Sequence, residues 1–211
     1  MKQRTTRRRF LQQTASMAAI GYLSCRAPAQ KDSPNDKINI AIIGCGGRGA
    51  GNTNSVKGEQ IVALCDIDDN PLKKAAGSYK DARTYHDFRE MLADPKGIDA
   101  VVISSTDHTH APASVRAMRK GLHVYSEKPL AHTVGEARLV RETYLARKDK
   151  IATQMGTQIH ATDNYRRVVE LVQSGAIGDV DRVHVWQANS VKPGKRVAEG
   201  TPPANVNYDL W

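Results

Sequence analysis

The strongest constraint on the fold is a glycine-rich loop that directly follows a short apolar run. Residues 38–43 form a run of the kind that a buried parallel strand needs. The next six residues have the spacing G-x-G-x-x-G, which suits a tight turn, a close approach of the backbone to a pyrophosphate and close packing of the following helix. The N–H groups at the start of that helix point at the phosphates. The sequence therefore predicts a dinucleotide-binding loop formed by Gly44, Gly46, Gly47, Arg48 and Gly49.

Short apolar runs and helical segments alternate along the chain up to residue 155. Further strand-like runs occupy 61–65, 100–104, 122–125 and 151–154, and helices are predicted near 49–56, 71–79, 87–93, 111–120 and 134–147. The longest helix opens with Thr133 and carries Glu136 three residues later, which is the pattern of a capping box. This alternation predicts an α/β fold in which residues 37–155 form a doubly wound parallel Rossmann sheet.

The pattern changes after residue 155. One helix is predicted to end at Gly175, one strand-like segment covers 180–187, and a Pro/Gly/Lys-rich stretch follows. One helix and one strand cannot bury a core of their own. We therefore expect residues 156–211 to be the beginning of a second domain whose remainder is absent from this chain.

The second strand predicts the identity of the dinucleotide. It ends at Asp66, 22 residues after Gly44, and an acid at about that distance accepts both ribose hydroxyls. A carboxylate also repels a 2′-phosphate, so NAD is favoured over NADP. Asp68 is an alternative for the same role, and Arg48 weakens the preference if it pairs with a phosphate.

A polar segment, residues 105–110, follows the strand-like run 100–104. We predict a loop there that flanks the cofactor, with Ser105 and His110 as contacts. His108 and His110 raise the question of a metal, but a spacing of two does not place both rings on one helix face. Since no third ligand is evident nearby, no metal site is predicted.

Glu127-Lys128-Pro129 follows the run 122–125. Proline cannot donate to a sheet ladder and holds the preceding residue in an extended conformation, so the strand is predicted to stop there. Lys128 then lies at the carboxyl end of a strand, which is the edge where ligands bind in open α/β sheets. Lys128 is the candidate acid/base, and Glu127 lies beside it.

The first 29 residues contain six basic residues and no acid, which leaves only +3 of the net charge of +9 for the rest of the chain. The remaining charges alternate in sign and form no basic stripe, so nucleic-acid binding is excluded. Residues 6–11 resemble a twin-arginine export signal, centred on Arg7-Arg8, and the apolar stretch after them is too short to span a bilayer. We expect a periplasmic or otherwise extracytoplasmic protein that meets the membrane only through the export machinery. Cleavage after Ala29 is favoured over lipidation at Cys25.

Cys45 and Cys65 lie near the ends of the first two predicted strands, which are neighbours in a doubly wound sheet. Two buried free thiols are the favoured interpretation. A disulfide between them in an oxidising compartment is the alternative.

Together these motifs resemble the Gfo/Idh/MocA oxidoreductase family over residues 37–211. The resemblance rests on the glycine loop with Arg48, on the segment 105–110, on Glu127-Lys128-Pro129 and on two further motifs, Tyr85-His86-Asp87-Phe88-Arg89 and Gly156-Thr157-Gln158 leading into Tyr165-Arg166-Arg167. It implies that Lys128 is the catalytic lysine and that Glu127 borders the nicotinamide pocket. It also implies that the incomplete second domain, residues 156–211, is an open-sheet α/β domain, and that a full-length member is a homo-oligomer. The chain departs from the family at Thr106, where proline is common, and it ends before the family's Asp-x-x-x-His motif.

The resemblance implies hydride transfer between NAD(P) and a hydroxyl of a small-molecule sugar or polyol. Two alternatives stay open. One is a related NAD-dependent glycosidase, although such relatives tend to lack the lysine of Glu-Lys-Pro. The other is a truncated, non-catalytic remnant that binds NAD.

Overall fold

The computed structural model describes residues 37–158, 162–186, 194 and 199–211. Six parallel strands form one sheet in the order β3-β2-β1-β4-β5-β6. This is the order of a doubly wound dinucleotide-binding sheet, with the crevice at the switch between β1 and β4. The predicted α/β class is confirmed. The strands are β1 (Asn39–Ile43), β2 (Gln60–Cys65), β3 (Arg83–Tyr85), β4 (Ala100–Ile103), β5 (His123–Glu127) and β6 (Thr153–Gly156). The predicted export signal lies outside the described residues.

Helices connect successive strands and continue after the last one. They are α1 (Gly47–Ser55), α2 (Asp69–Ser78), α3 (Phe88–Met91), α4 (Asp107–Arg119), α5 (Val134–Leu145) and α6 (Asp163–Gln173), with a single 3₁₀ turn at Tyr208–Leu210. The predicted capping box of α5 is present: Thr133 Oγ1 accepts from the Glu136 N–H, and the Glu136 carboxylate accepts from the Thr133 N–H. No helix in the part of the chain that the structure describes is long and apolar enough to cross a membrane.

The central strands send alternate side chains to two separate apolar cores. Ala41 and Ile43 of β1 pack in one core, whereas Ile40 and Ile42 pack in the other. All four are at most 3% exposed. A strand buried on both faces needs an uninterrupted apolar run, which explains why the run 38–43 was recognisable in the sequence.

Three predicted elements differ from the structure. β3 was not predicted, because its three residues carry no apolar run and pair with β2 alone, at the sheet edge. The predicted loop 105–110 is wrong in its second half, since α4 already begins at Asp107. The predicted strand 180–187 is wrong over 180–186: these residues are exposed and pair with no described strand, while Gln187 lies outside the described residues.

The helix α6 exposes its apolar side chains. None of its residues is buried, and Val168, Val169, Leu171 and Val172 are each more than 40% exposed. The predicted domain boundary at residues 155 and 156 stays a prediction.

Candidate functional site

The glycine loop holds β1, α1 and the end of β4 in close contact. Gly44 has a φ of +86°, and a Cβ there would lie 2.7 Å from backbone atoms of Ser104 and Ser105. A Cβ on Gly49 would lie 1.9 Å from the carbonyl oxygen of Gly44. Both distances are far below van der Waals contact, so any larger residue would push α1 away from the sheet. The sequence pattern anticipated this close packing.

The amino terminus of α1 is open toward the carboxyl edge of the sheet. Among the described residues no side chain caps it at Gly46, and its first turn carries no acidic residue. Gly47 lines a shallow cleft between α1 and α2, where a Cβ would meet no atom within 4 Å. Free N–H groups and the positive end of the helix dipole suit a phosphate group, so this part of the chain fits a dinucleotide.

Asp66 contributes to the shape of the loop as well as facing the crevice. Its carboxylate accepts the backbone N–H of Cys45 at 2.7 Å and that of Asp68 at 3.0 Å. A carboxylate has about four lone-pair sites, so two remain for hydroxyl donors. Asp68 is occupied differently: its Oδ1 accepts from the Asn70 N–H, which caps α2, and from the Asn205 side chain.

A cavity of about 350 Å³ opens at the switch point between β1 and β4. Four of the predicted site residues line it together: Gly44, Gly46, Asp66 and Ser105. Residues of the 206–211 stretch line it as well, and the sequence pattern offered no signal for them. Within the part of the chain that the structure describes, the lining lacks other predicted site residues, among them Arg48, Gly49, His110, Glu127 and Lys128.

Arg48 and Glu127 meet behind the glycine loop. Arg48 Nε donates to Glu127 Oε1 at 2.8 Å, and the buried Asn52 Nδ2 donates to the same oxygen at 2.9 Å. Burial of the Glu127 carboxylate opposes its ionisation, but the hydrogen bonds from Asn52 and Arg48 outweigh that effect and hold its pKa below the ordinary value. Glu127 in turn raises the pKa of the Arg48 guanidinium, first through the hydrogen bond between them and then through its negative charge. Glu127 is therefore an ionised anchor for α1.

Asn52 was missed in the sequence, and Gly156 was noted there only as part of a motif, without a structural role. Asn52 also donates to Ser104 Oγ at 2.8 Å, so it joins α1 to the end of β4 and to β5. It lies one helical turn after Arg48, a spacing that places both on one face. A Cβ on Gly156 would lie 2.5 Å from the Tyr125 hydroxyl and 2.8 Å from Glu127 Oε1. Gly156 therefore leaves room for the carboxylate.

Lys128 follows the last residue of β5 and is exposed at the carboxyl edge of the sheet. The peptide bond between Lys128 and Pro129 is cis. The strand ends before the proline, as the sequence predicted.

His110 lies between the polar segment and the turn that follows Lys128. Its ring is 1% exposed, with Nε2 2.9 Å from the carbonyl oxygen of Ser105 and Nδ1 2.7 Å from that of Pro129. His110 thus connects the two segments, and its contact with the cofactor stays a prediction.

The histidine pair does not converge on a metal. His108 Nε2 donates to the carbonyl oxygen of Trp211, whereas His110 is held by Ser105 and Pro129. No group of three or more potential ligands among His, Cys, Asp and Glu occurs within the described ranges.

Cys45 and Cys65 are both buried free thiols. Burial, followed by the nearby Asp66 charge, raises the pKa of the Cys45 thiol to about 12. Burial also raises the pKa of Cys65. Neither thiol is poised as a nucleophile.

Comparison with known proteins places this geometry among oxidoreductases. A family model described as "Oxidoreductase family, NAD-binding Rossmann fold" matches residues 38–157. Inositol 2-dehydrogenase 2 of Saccharopolyspora erythraea is 29% identical over 182 residues, which cover 82% of this chain and 53% of that protein. A glycosyl hydrolase family 109 protein of Solibacter usitatus is 30% identical over 203 residues, which cover 83% of this chain and 44% of that protein.

Solved structures agree with this comparison. The scyllo-inositol dehydrogenase of Lactobacillus casei, solved with NAD(H) and scyllo-inositol, is 26% identical with a TM-score of 0.63. The alignment covers 68% of this chain and 43% of that one. The myo-inositol 2-dehydrogenase of Lactobacillus plantarum is 29% identical with a TM-score of 0.63, over 69% of this chain and 43% of that one. The chain spans about half the length of the curated relatives it matches.

Proposed function

The chain belongs to the Gfo/Idh/MocA oxidoreductase family, which has an NAD-binding Rossmann fold, and from that premise we propose that it transfers a hydride between NAD and a hydroxyl-bearing carbon of a sugar or polyol. The observation that carries the proposal is the cavity at the switch point. It brings together Gly44, Gly46, Asp66 and Ser105, which come from three separate loops. The nicotinamide ring, when bound, supplies the hydride acceptor.

The preference for NAD over NADP rests on Asp66. Two of its lone-pair sites remain free to accept ribose hydroxyls after it has bound the Cys45 and Asp68 N–H groups. A phosphate on that ribose would place its negative charge beside the negatively charged carboxylate of Asp66, and the two would repel each other. The pairing of Arg48 with Glu127 supports the same preference, because the guanidinium is already engaged by a carboxylate.

Lys128 is proposed as the acid/base. Oxidation of an alcohol removes a hydride from carbon and a proton from oxygen; the nicotinamide would take the hydride and the Lys128 side chain would take the proton. Its exposed position after β5 lets a substrate approach from the open side of the sheet. His110 positions this turn through Pro129.

Inositols are the first substrates to test, because several relatives are named as inositol dehydrogenases. NADH formation from a panel of inositols and hexoses should be compared between the wild type and Lys128→Ala. A positioned acid/base contributes about 10²–10⁴ in rate, so kcat/KM should fall by that factor while NADH binding is retained. Lys150→Ala, which changes another exposed lysine, is the matched control. Unchanged turnover in Lys128→Ala would exclude the acid/base role, and NADH binding without any turnover in the wild type would favour the non-catalytic alternative.

A second candidate function is NAD-dependent glycoside hydrolysis, in which oxidation, elimination and re-reduction leave no net redox change. The 30% identity to a glycosyl hydrolase family 109 protein supports it. Chromogenic glycosides separate the two activities. Release of the aglycone without accumulation of NADH indicates the hydrolase, and accumulation of NADH from free polyols indicates the dehydrogenase.

Export by the twin-arginine route is proposed from residues 6–11. Expression in a bacterium and fractionation of periplasm from cytoplasm tests it, with Arg7→Lys/Arg8→Lys as the blocked variant. Equal periplasmic amounts of the wild type and the variant would refute export by this route.

A further inference from the structure

Val206, Leu210 and Trp211 line the cavity, and we propose that the segment 205–211 forms a wall of the dinucleotide site and that Trp211 contacts the adenine base. This inference rests on the proposed binding of NAD. It assigns a binding role to residues outside the glycine loop and outside the region 38–157 that matches the family model.

One end of the segment is fixed to the turn between β2 and α2. Val206 forms an antiparallel bridge with Asp68. The Asp69 N–H donates to the Asn205 carbonyl oxygen at 2.9 Å, and the Asn207 N–H donates to the Ile67 carbonyl oxygen at 2.8 Å. The Asn205 side chain adds a hydrogen bond of 2.8 Å to Asp68 Oδ1. These contacts begin at Ile67, the residue directly after Asp66, so the segment is anchored beside the proposed ribose site.

The other end reaches the start of α4. The rings of Trp211 and His108 lie 5.7 Å apart between centroids and are tilted by 55°. His108 Nε2 donates to the Trp211 carbonyl oxygen. The segment therefore joins the β2 side of the cavity to the β4 side. Trp211 remains 55% exposed, so its ring has surface available for a ligand.

The chemistry of the cavity suits a heteroaromatic base. Ile67, Phe88, Val206, Leu210 and Trp211 give it a largely apolar lining. None of those five side chains carries a positive charge to bind a phosphate. A flat aromatic base, in contrast, pays little desolvation free energy when it moves from water onto this lining. The open amino terminus of α1 suits the phosphates, and Asp66 suits the ribose between them and the base. This order along the crevice identifies the base as the adenine of the dinucleotide.

Calorimetric titration of the full chain with AMP, nicotinamide mononucleotide and NADH tests the assignment. Stacking of a base on an aromatic side chain is worth enough that Trp211→Ala should bind AMP and NADH about tenfold more weakly. Trp211→Phe should keep most of the affinity, and binding of nicotinamide mononucleotide should not change. The matched control is Trp186→Ala, because Trp186 is 84% exposed and does not line the cavity.

Two further measurements test the anchoring and the optical signature. Asn205→Asp sets a second carboxylate against Asp68 and should weaken AMP binding to a similar extent. AMP should quench tryptophan fluorescence in Trp186→Phe but not in Trp211→Phe.

Equal AMP and NADH affinity in the wild type and Trp211→Ala would overturn the inference and leave the proposed function standing. A selective loss of nicotinamide mononucleotide binding would overturn the adenine assignment. A wild type that binds neither NADH nor AMP would overturn both proposals.

Discussion

Replacing Glu127 by glutamine tests whether an ionised carboxylate ties the glycine-loop helix to β5. The carboxylate is 5% exposed and accepts hydrogen bonds from Asn52 and Arg48 on one oxygen. Glutamine has nearly the same shape and keeps one acceptor oxygen, but it carries no charge. The substitution therefore changes the strength of the hydrogen bonds without opening a cavity.

The magnitude follows from the buried bond to Asn52. A hydrogen bond to a charged group contributes about 1.5–3 kcal/mol and a neutral one about 0.5–1.5 kcal/mol, so the difference is about 1 kcal/mol. We add nothing for Arg48, because its side chain is 49% exposed and is rehydrated when the charge disappears. For a chain of this length, a loss of about 1 kcal/mol lowers Tm by about 2–4 °C.

The pH dependence gives the prediction its sign. Folding lowers the pKa of Glu127 below the ordinary value of 4.5. The ionised carboxylate therefore stabilises the protein fully above pH 4.5, and this contribution disappears as the pH falls through the lower, folded-state pKa. Urea unfolding of the wild type and Glu127→Gln should show the full difference at pH 7 and a smaller one near pH 3.

Glu142→Gln, which changes an exposed glutamate, is the control and should differ from the wild type by less than about 0.5 kcal/mol. Two results would refute the reasoning. One is equal stability of the wild type and Glu127→Gln at pH 7. The other is a difference that stays constant as the pH falls.

Three further predictions concern steric contacts and thiols. Gly49→Ala places a Cβ 1.9 Å from the Gly44 carbonyl oxygen, so it should lower the free energy of unfolding by about 1–3 kcal/mol and weaken NADH binding, as denaturant titration and calorimetry would show. Gly156→Ala would place a Cβ 2.5 Å from the Tyr125 hydroxyl, so it should lower the free energy of unfolding by less in a Tyr125→Phe background than in the wild type. A double-mutant cycle that finds strictly additive losses of stability would contradict this. Because burial raises the pKa of Cys45 to about 12 and also raises that of Cys65, iodoacetamide at pH 8 should alkylate both only after unfolding; peptide mass spectrometry of folded protein would reveal any exception.

The sheet was predictable because its central strands are buried on both faces. β1, β2 and β4 carry the apolar runs that burial on both faces requires, and the alternation with helices then implies a parallel sheet. β3 was not predictable from its own residues, since Arg83, Thr84 and Tyr85 pair only at the sheet edge and need no apolar pattern. α4 was predicted to begin near residue 111, but it begins at Asp107 and contains Pro112.

The candidate site also contains residues that could be predicted from the sequence and residues that could not. The glycine loop and Asp66 follow local spacing rules, and both could be located from the sequence. The role of Asn52 depends on the approach of α1 to β5. The proposed role of Trp211 depends on its contact with His108, 103 positions earlier in the chain. Contacts of that kind follow from the three-dimensional path of the backbone, and no short motif encodes them.

The two hydrogen bonds that Asp66 accepts from the backbone have a consequence for redesign of cofactor preference. A protein engineer who seeks an enzyme that uses NADP would first replace this acid, so that a phosphorylated ribose fits. Alanine at this position would leave the N–H groups of Cys45 and Asp68 without their acceptor, and serine could serve at most one of them well. Under the proposed role of Asp66, a change of cofactor preference therefore requires compensating changes in the glycine loop, because a single substitution at Asp66 also removes hydrogen bonds that hold this loop.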